Sequence, residues 1–119
     1  MAIRDFAVNT SVAGVSARAT NLVLSRSAYL KRLHVTNKGA AAVYIHILDL
    51  AALPADGAVA HKLAPIELGV NQVLDIDYAL DPILFSNGIC IYGSSTENNK
   101  TIIAGADLII DLFYSAAEV

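Results

Sequence analysis

Three histidines, one cysteine and a few spaced aspartates are the residues of this chain that could do chemistry. His34, His46 and His61 show neither HExxH nor HxH spacing, so no pair is set out as ligands of one metal. Asp75-x-Asp77 is more suggestive. On a strand its two carboxylates share a face about 7 Å apart, a separation that suits calcium or the paired acids of a glycosidase. Alternating aspartates also mark the solvated face of a sheet, and Asp75-x-Asp77 and Asp107-x-x-x-Asp111 are both read that way. Cys90, inside Ile89-Cys90-Ile91-Tyr92, has no second cysteine to pair with and reads as a small buried hydrophobe. Gly93-Ser94-Ser95 is not a GxSxG elbow, and no glycine-rich phosphate loop is present. Asn9-Thr10-Ser11 and Asn99-Lys100-Thr101 match the glycosylation sequon but count only as surface markers. The five tyrosines, in a chain without tryptophan, are expected at half-buried strand positions rather than on a sugar-stacking platform. The expectation is a protein with no catalytic site, no metal and no cofactor.

These residues sit in segments that read as strands. Tyr29–Thr36 alternates, with Tyr29, Leu33 and Val35 on one face and Arg32, His34 and Thr36 on the other. Asn37-Lys38-Gly39 supplies turn residues, and Ala42–Leu48, β-branched and aromatic, is expected to pair back as a hairpin. On that hairpin His34 and His46 would miss registry by about two residues. Asp49–Ala60, broken by Pro54, Asp56 and Gly57, reads as a long loop. Further strands are predicted over His61–Ile66, Gln72–Asp77, Ile83–Ser86, Gly88–Tyr92 and Ala106–Tyr114, with Leu108, Ile110, Leu112 and Tyr114 on one side of the last. Gly93–Lys100 reads as a solvent loop. Short strands with turn signals at about ten-residue spacing predict an all-β single domain, an antiparallel jelly-roll-like β-sandwich. Residues 21–119 form that sandwich and residues 1–20 an extended N-terminal arm. Arg4, Phe6, Val8 and Val12 space the arm as partner-binding residues.

Composition narrows the partners. Of 119 residues, 55% are hydrophobic and only 16% charged, with mean hydropathy +0.54. Disorder needs the opposite balance. No stretch approaches the roughly 18–20 uninterrupted apolar residues of a spanning helix, so no membrane partner is expected. Net charge −3 with dispersed lysines and arginines gives no phosphate-binding patch, so nucleic acid is not expected either. No signal peptide is read at the N-terminus, where Arg4 and Asp5 precede a Ser/Thr/Asn-dotted segment, and a reducing cytoplasm is expected. Strands such as Val43–Leu48 carry apolar residues on both faces with no evident cover in the chain. That surplus predicts an interface with other subunits.

The order of several short patterns resembles small virion structural proteins of tailed bacteriophages. They are His34-Val35-Thr36-Asn37, Ala42–Asp49, a Pro54/Gly57 loop, Pro65-Ile66-Glu67-Leu68-Gly69, Phe85-Ser86-Asn87-Gly88-Ile89, Ser94-Ser95-Thr96 and Ala106–Ile110 with Phe113-Tyr114. The resemblance covers about residues 30–114. It implies a capsid decoration (cement) protein, usually a homotrimer, that binds the major capsid protein between capsomers and resides on a virion assembled in the host cytoplasm. A tail, neck or fibre-associated module that binds carbohydrate or a receptor is the alternative.

Overall fold

The computed structural model describes residues 13–78, 80–101, 103 and 107–116. Eleven strands follow in order: β1 (Ala13–Ala19), β2 (Asn21–Leu24), β3 (Ala28–Asn37), β4 (Val43–Leu48), β5 (Gly57–Ala58), β6 (Leu63–Leu68), β7 (Val73–Asp77), β8 (Ile83–Phe85), β9 (Ile89–Ser94), β10 (Asn99–Lys100) and β11 (Leu108–Ala116). Among the described residues no helix is long and apolar enough to cross a membrane.

Two antiparallel sheets carry the fold. The first has the order β1-β11-β3-β7, with β8 continuing the edge of β3 beyond β7. The second has the order β2-β9-β4-β6, and β5 and β10 form a separate two-stranded ribbon. Setting β8 and the ribbon aside, the two four-stranded orders are those of a double-sheet jelly roll. The predicted all-β sandwich is therefore the fold.

Alternation explains the core. Leu30, Leu33 and Val35 of β3 meet Leu108, Ile110 and Leu112 of β11 on the inner face of one sheet. Ile45 and Ile47 of β4 meet Ile89 and Ile91 of β9 on the other. The partner of Phe113 is Arg32 but that of Tyr114 is Leu30, so Lys31 is an extra residue in β3. This bulge turns Tyr29 outward and Leu30 inward, where the sequence pattern had placed Tyr29 with the core.

Two other expectations fail on topology. β3 and β4 do not form a hairpin, because they lie in different sheets. Asn37 fixes the corner between them: its Oδ1 accepts the Gly39 N–H at 2.9 Å and its Nδ2 donates to the carbonyls of Ala41 and Leu68 at 2.9 and 3.1 Å. These bonds direct the five-residue connection across the sandwich instead of back along β3. Residues 93–100 are not simply a solvent loop, since β9 runs to Ser94 and Asn99-Lys100 pairs with Gly57-Ala58. Within the predicted arm, Ala13–Ala19 is an edge strand of the chain's own sheet, in register with β11 from Ala13↔Tyr114 to Ala19↔Leu108. Arg4, Phe6, Val8 and Val12 lie outside the described residues.

Candidate functional site

The two outer faces of the sandwich hold most of the candidate residues. On the second sheet, outward positions of β4 and β9 pair as His46↔Tyr92 and Leu48↔Cys90. All four side chains are buried, because the 49–62 connection and the β5–β10 ribbon fold back over them. The second apolar face of β4 is thus roofed by the chain itself, which corrects the expectation that it has no cover within the chain.

His46 is the hub of this roofed layer. Its Nε2 lies 3.1 Å from the carbonyl oxygen of Thr96, which can only accept, so Nε2 carries the proton in the neutral ring. Nδ1 is then the acceptor, 2.8 Å from the Tyr92 hydroxyl and 3.2 Å from His61 Nε2. One ring thereby ties β4 to β9, to the loop after β9 and to the segment entering β6. Burial pushes the His46 imidazole below its ordinary value, against the Thr96 carbonyl, which favours the charged form. Burial also pushes the Tyr92 hydroxyl up to about 12 and the Cys90 thiol up to about 11. The thiol is therefore protonated near neutrality and unreactive as a nucleophile. Lys100, almost fully buried, pairs with Asp56 and lies 5.6 Å over the Tyr92 ring.

The first sheet shows a different outer face. Arg32 grips Asp75 through two hydrogen bonds, Nε to Oδ1 at 2.9 Å and Nη2 to Oδ2 at 2.8 Å. Asp75 and Asp77 do share the exposed face of β7, as predicted. The Arg32 guanidinium holds the Asp75 carboxyl below the usual carboxylate range, so this carboxylate serves an ion pair instead of a paired-acid site. His34 stands between β7 and β11, its Nδ1 3.6 Å from Asp111. His34 and His46 occupy opposite outer faces. Among the described residues no group of three or more His, Cys, Asp or Glu is placed to hold a metal ion.

Sequence reasoning missed the meeting of His46 and His61. They stand fifteen positions apart in the sequence, on either side of the 49–60 connection, and no spacing rule reports a contact that depends on how such a connection folds back. The quoted motifs meet at corners instead. The Asp49 carboxylate accepts the N–H groups of Ser86, Asn87 and Gly88 at 3.1, 2.8 and 3.3 Å. Burial opposes charge on Asp49, but these three donors outweigh it and hold the carboxyl below its ordinary value. Gly88 is needed there, since a Cβ would sit 2.5 Å from the Leu24 carbonyl oxygen and 2.7 Å from that of Leu50. At the opposite pole the Asn37 backbone bonds Asn71 and Gln72, and Asn71 takes the left-handed conformation at φ 62°.

No protein-family model matches the chain, and no curated protein matches it. Among solved structures, the coat protein of Tobacco streak virus is similar over 91% of this chain and 89% of that one, at 13% identity and a TM-score of 0.39. A likeness of that degree carries no argument about function.

Proposed function

We propose that this protein is a non-enzymatic virion structural protein, a capsid decoration (cement) protein that binds between capsomers of a tailed-phage head. The observation that carries the reading is how the corners of the fold are tied. Asn37, Asp49, Asn71 and Gly88 all tie corners of a jelly roll, an architecture found in viral capsid domains. Such a protein works by shape and mass action: whatever binds only the assembled lattice stabilises it. In this reading Arg4, Phe6, Val8 and Val12 are the partner-binding residues, adding main-chain hydrogen bonds to a neighbour's sheet edge on assembly, and a symmetric homotrimer is the expected form.

The test is binding to shells assembled from the major capsid protein encoded in the same genome. Saturable co-sedimentation, lost on deletion of residues 1–12, is expected. A protein that ignores the shells, stays monomeric and is retained by a glycan array would overturn the proposal in favour of a carbohydrate- or receptor-binding fibre module. The hydroxyls best placed for such a module are already committed. Ser94 Oγ and Thr96 Oγ1 both donate to the Asn99 carbonyl, at 2.9 and 2.7 Å.

A further inference from the structure

His46 and His61 meet ring to ring in the roofed layer over the second sheet. Their centroids are 4.5 Å apart with the planes inclined by 74°, and His46 Nδ1 lies 3.2 Å from His61 Nε2. Two ring nitrogens this close need one proton between them, since two bare lone pairs or two N–H groups would repel. His46 Nε2 already carries its proton, donated to the Thr96 carbonyl at 3.1 Å. Any change of charge on His46 therefore occurs at Nδ1, the atom that faces His61. One added proton is accommodated, because Nδ1–H can donate to a bare Nε2 of His61. A second proton leaves two cations with their N–H groups opposed. Around the pair stand the Tyr92 hydroxyl, 2.8 Å from Nδ1, the Cys90 thiol and the backbones of Thr96 and Glu97. Both the hydroxyl and the thiol are protonated near neutrality. The charges of the layer are Lys100 and Asp56, which pair with each other. Lys62 lies apart from it, with its Nζ 5.9 Å over the Phe85 ring.

We propose that the His46–His61 pair is an acid-operated latch. It holds the 49–62 connection down while no more than one ring is charged. When both are charged it releases the connection and exposes Leu48, Cys90 and Tyr92, with the sandwich intact. The roof is built to lift separately. Its backbone ties are the Lys62 N–H on the Ile47 carbonyl at 3.0 Å and a ribbon of two residue pairs, Asn99↔Ala58 and Lys100↔Gly57. Leu53 and Val59 pack on Leu48, Cys90 and Tyr92, a cluster distinct from the main core on the other face of β4 and β9. A segment with so few ties opens at lower cost than the sheets beneath it. Burial holds the folded His46 below its ordinary value of about 6.5, so a lifted roof lets the ring take up a proton and opening is favoured as pH falls. The proposal goes beyond the virion reading and does not rest on it.

Cys90, the chain's single thiol, reports the opening. Its reaction with 4,4′-dithiodipyridine is measured in the full-length protein at several pH values, each rate divided by that of the urea-unfolded chain at the same pH. The division removes the thiol's own titration and leaves accessibility. In the wild type this ratio should rise about tenfold between about pH 7.5 and about pH 5, one proton's worth of linkage over one pH unit. The far-ultraviolet circular dichroism of the sheets should stay unchanged. His61→Gln keeps a neutral group opposite Nδ1, able to turn either its amide nitrogen or its oxygen towards it, so charging His46 meets no second cation. In that variant the rise should fall to about threefold or less. A flat ratio in the wild type overturns the proposal whatever the variant does. So does an equal rise in the two proteins, or a loss of the sheet signal in step with the rise.

Discussion

The two outer faces of the sandwich are both set by strand alternation and end as different environments. β3 and β7 point Arg32, His34, Asp75 and Asp77 outward, where Arg32 and Asp75 pair with one side in water and His34 lies 3.6 Å from Asp111. β4 and β9 point His46, Leu48, Cys90 and Tyr92 outward, and the 49–62 connection covers them. Strand alternation decides only which side of a sheet a residue takes. Whether that side is wet depends on a loop encoded elsewhere.

The largest effect that could break this contrast is His46→Ala. It leaves the Tyr92 hydroxyl, His61 and the Thr96 carbonyl without their shared partner in a buried layer. A loss of about 3 kcal/mol is expected in chemical denaturation. A loss no greater than that of Asp75→Ala would mean that the roof contributes nothing. The second effect is on Cys90, the chain's single thiol. Its reaction with 4,4′-dithiodipyridine should be slow in the native protein and at least about tenfold faster in His46→Ala, as the roof loosens. Equal rates in the two proteins would show that the layer opens without help from His46.

A smaller effect is pH dependence. The folded value of His46 lies below its ordinary one, so between the two the unfolded chain binds the extra proton. The stability this site contributes is complete above the ordinary value of about 6.5 and is lost as pH falls through it towards the folded value. The denaturation midpoint of the wild type should drop between about pH 7.5 and pH 5, and the drop should shrink in His46→Gln. An identical slope in the variant would assign the dependence to another group. The smallest effect belongs to the bare face: Arg32→Ala and Asp75→Ala should each shift the denaturation midpoint far less than His46→Ala does, and less still in high salt.

How much of this was legible in the sequence follows from the same division. The strands and the inward set of β11 follow from alternation, because burial between two sheets imposes a period of two. The bulge at Lys31 was not legible, since one extra residue shifts the phase without leaving a mark in hydrophobicity. The hairpin expectation failed because Asn37-Lys38-Gly39 has the residues of a tight turn, while the corner it forms depends on the Leu68 carbonyl thirty-one residues away. Likewise Asp75 and Asp77 were correctly placed on one solvated face, but the fork of Arg32 on Asp75 spans forty-three residues and had no local signal.

The position of β11 has a consequence for how the chain is made. It is the last of the described strands, yet it lies inside the first sheet, between β1 and β3. While the protein emerges from the ribosome, β1 and β3 have no common neighbour, and Leu33 and Val35 stay uncovered until Leu108–Leu112 arrive. That sheet therefore cannot close until Leu108–Leu112 have been synthesised, which exposes its strand edges to nascent copies nearby and favours slow translation or a waiting chaperone.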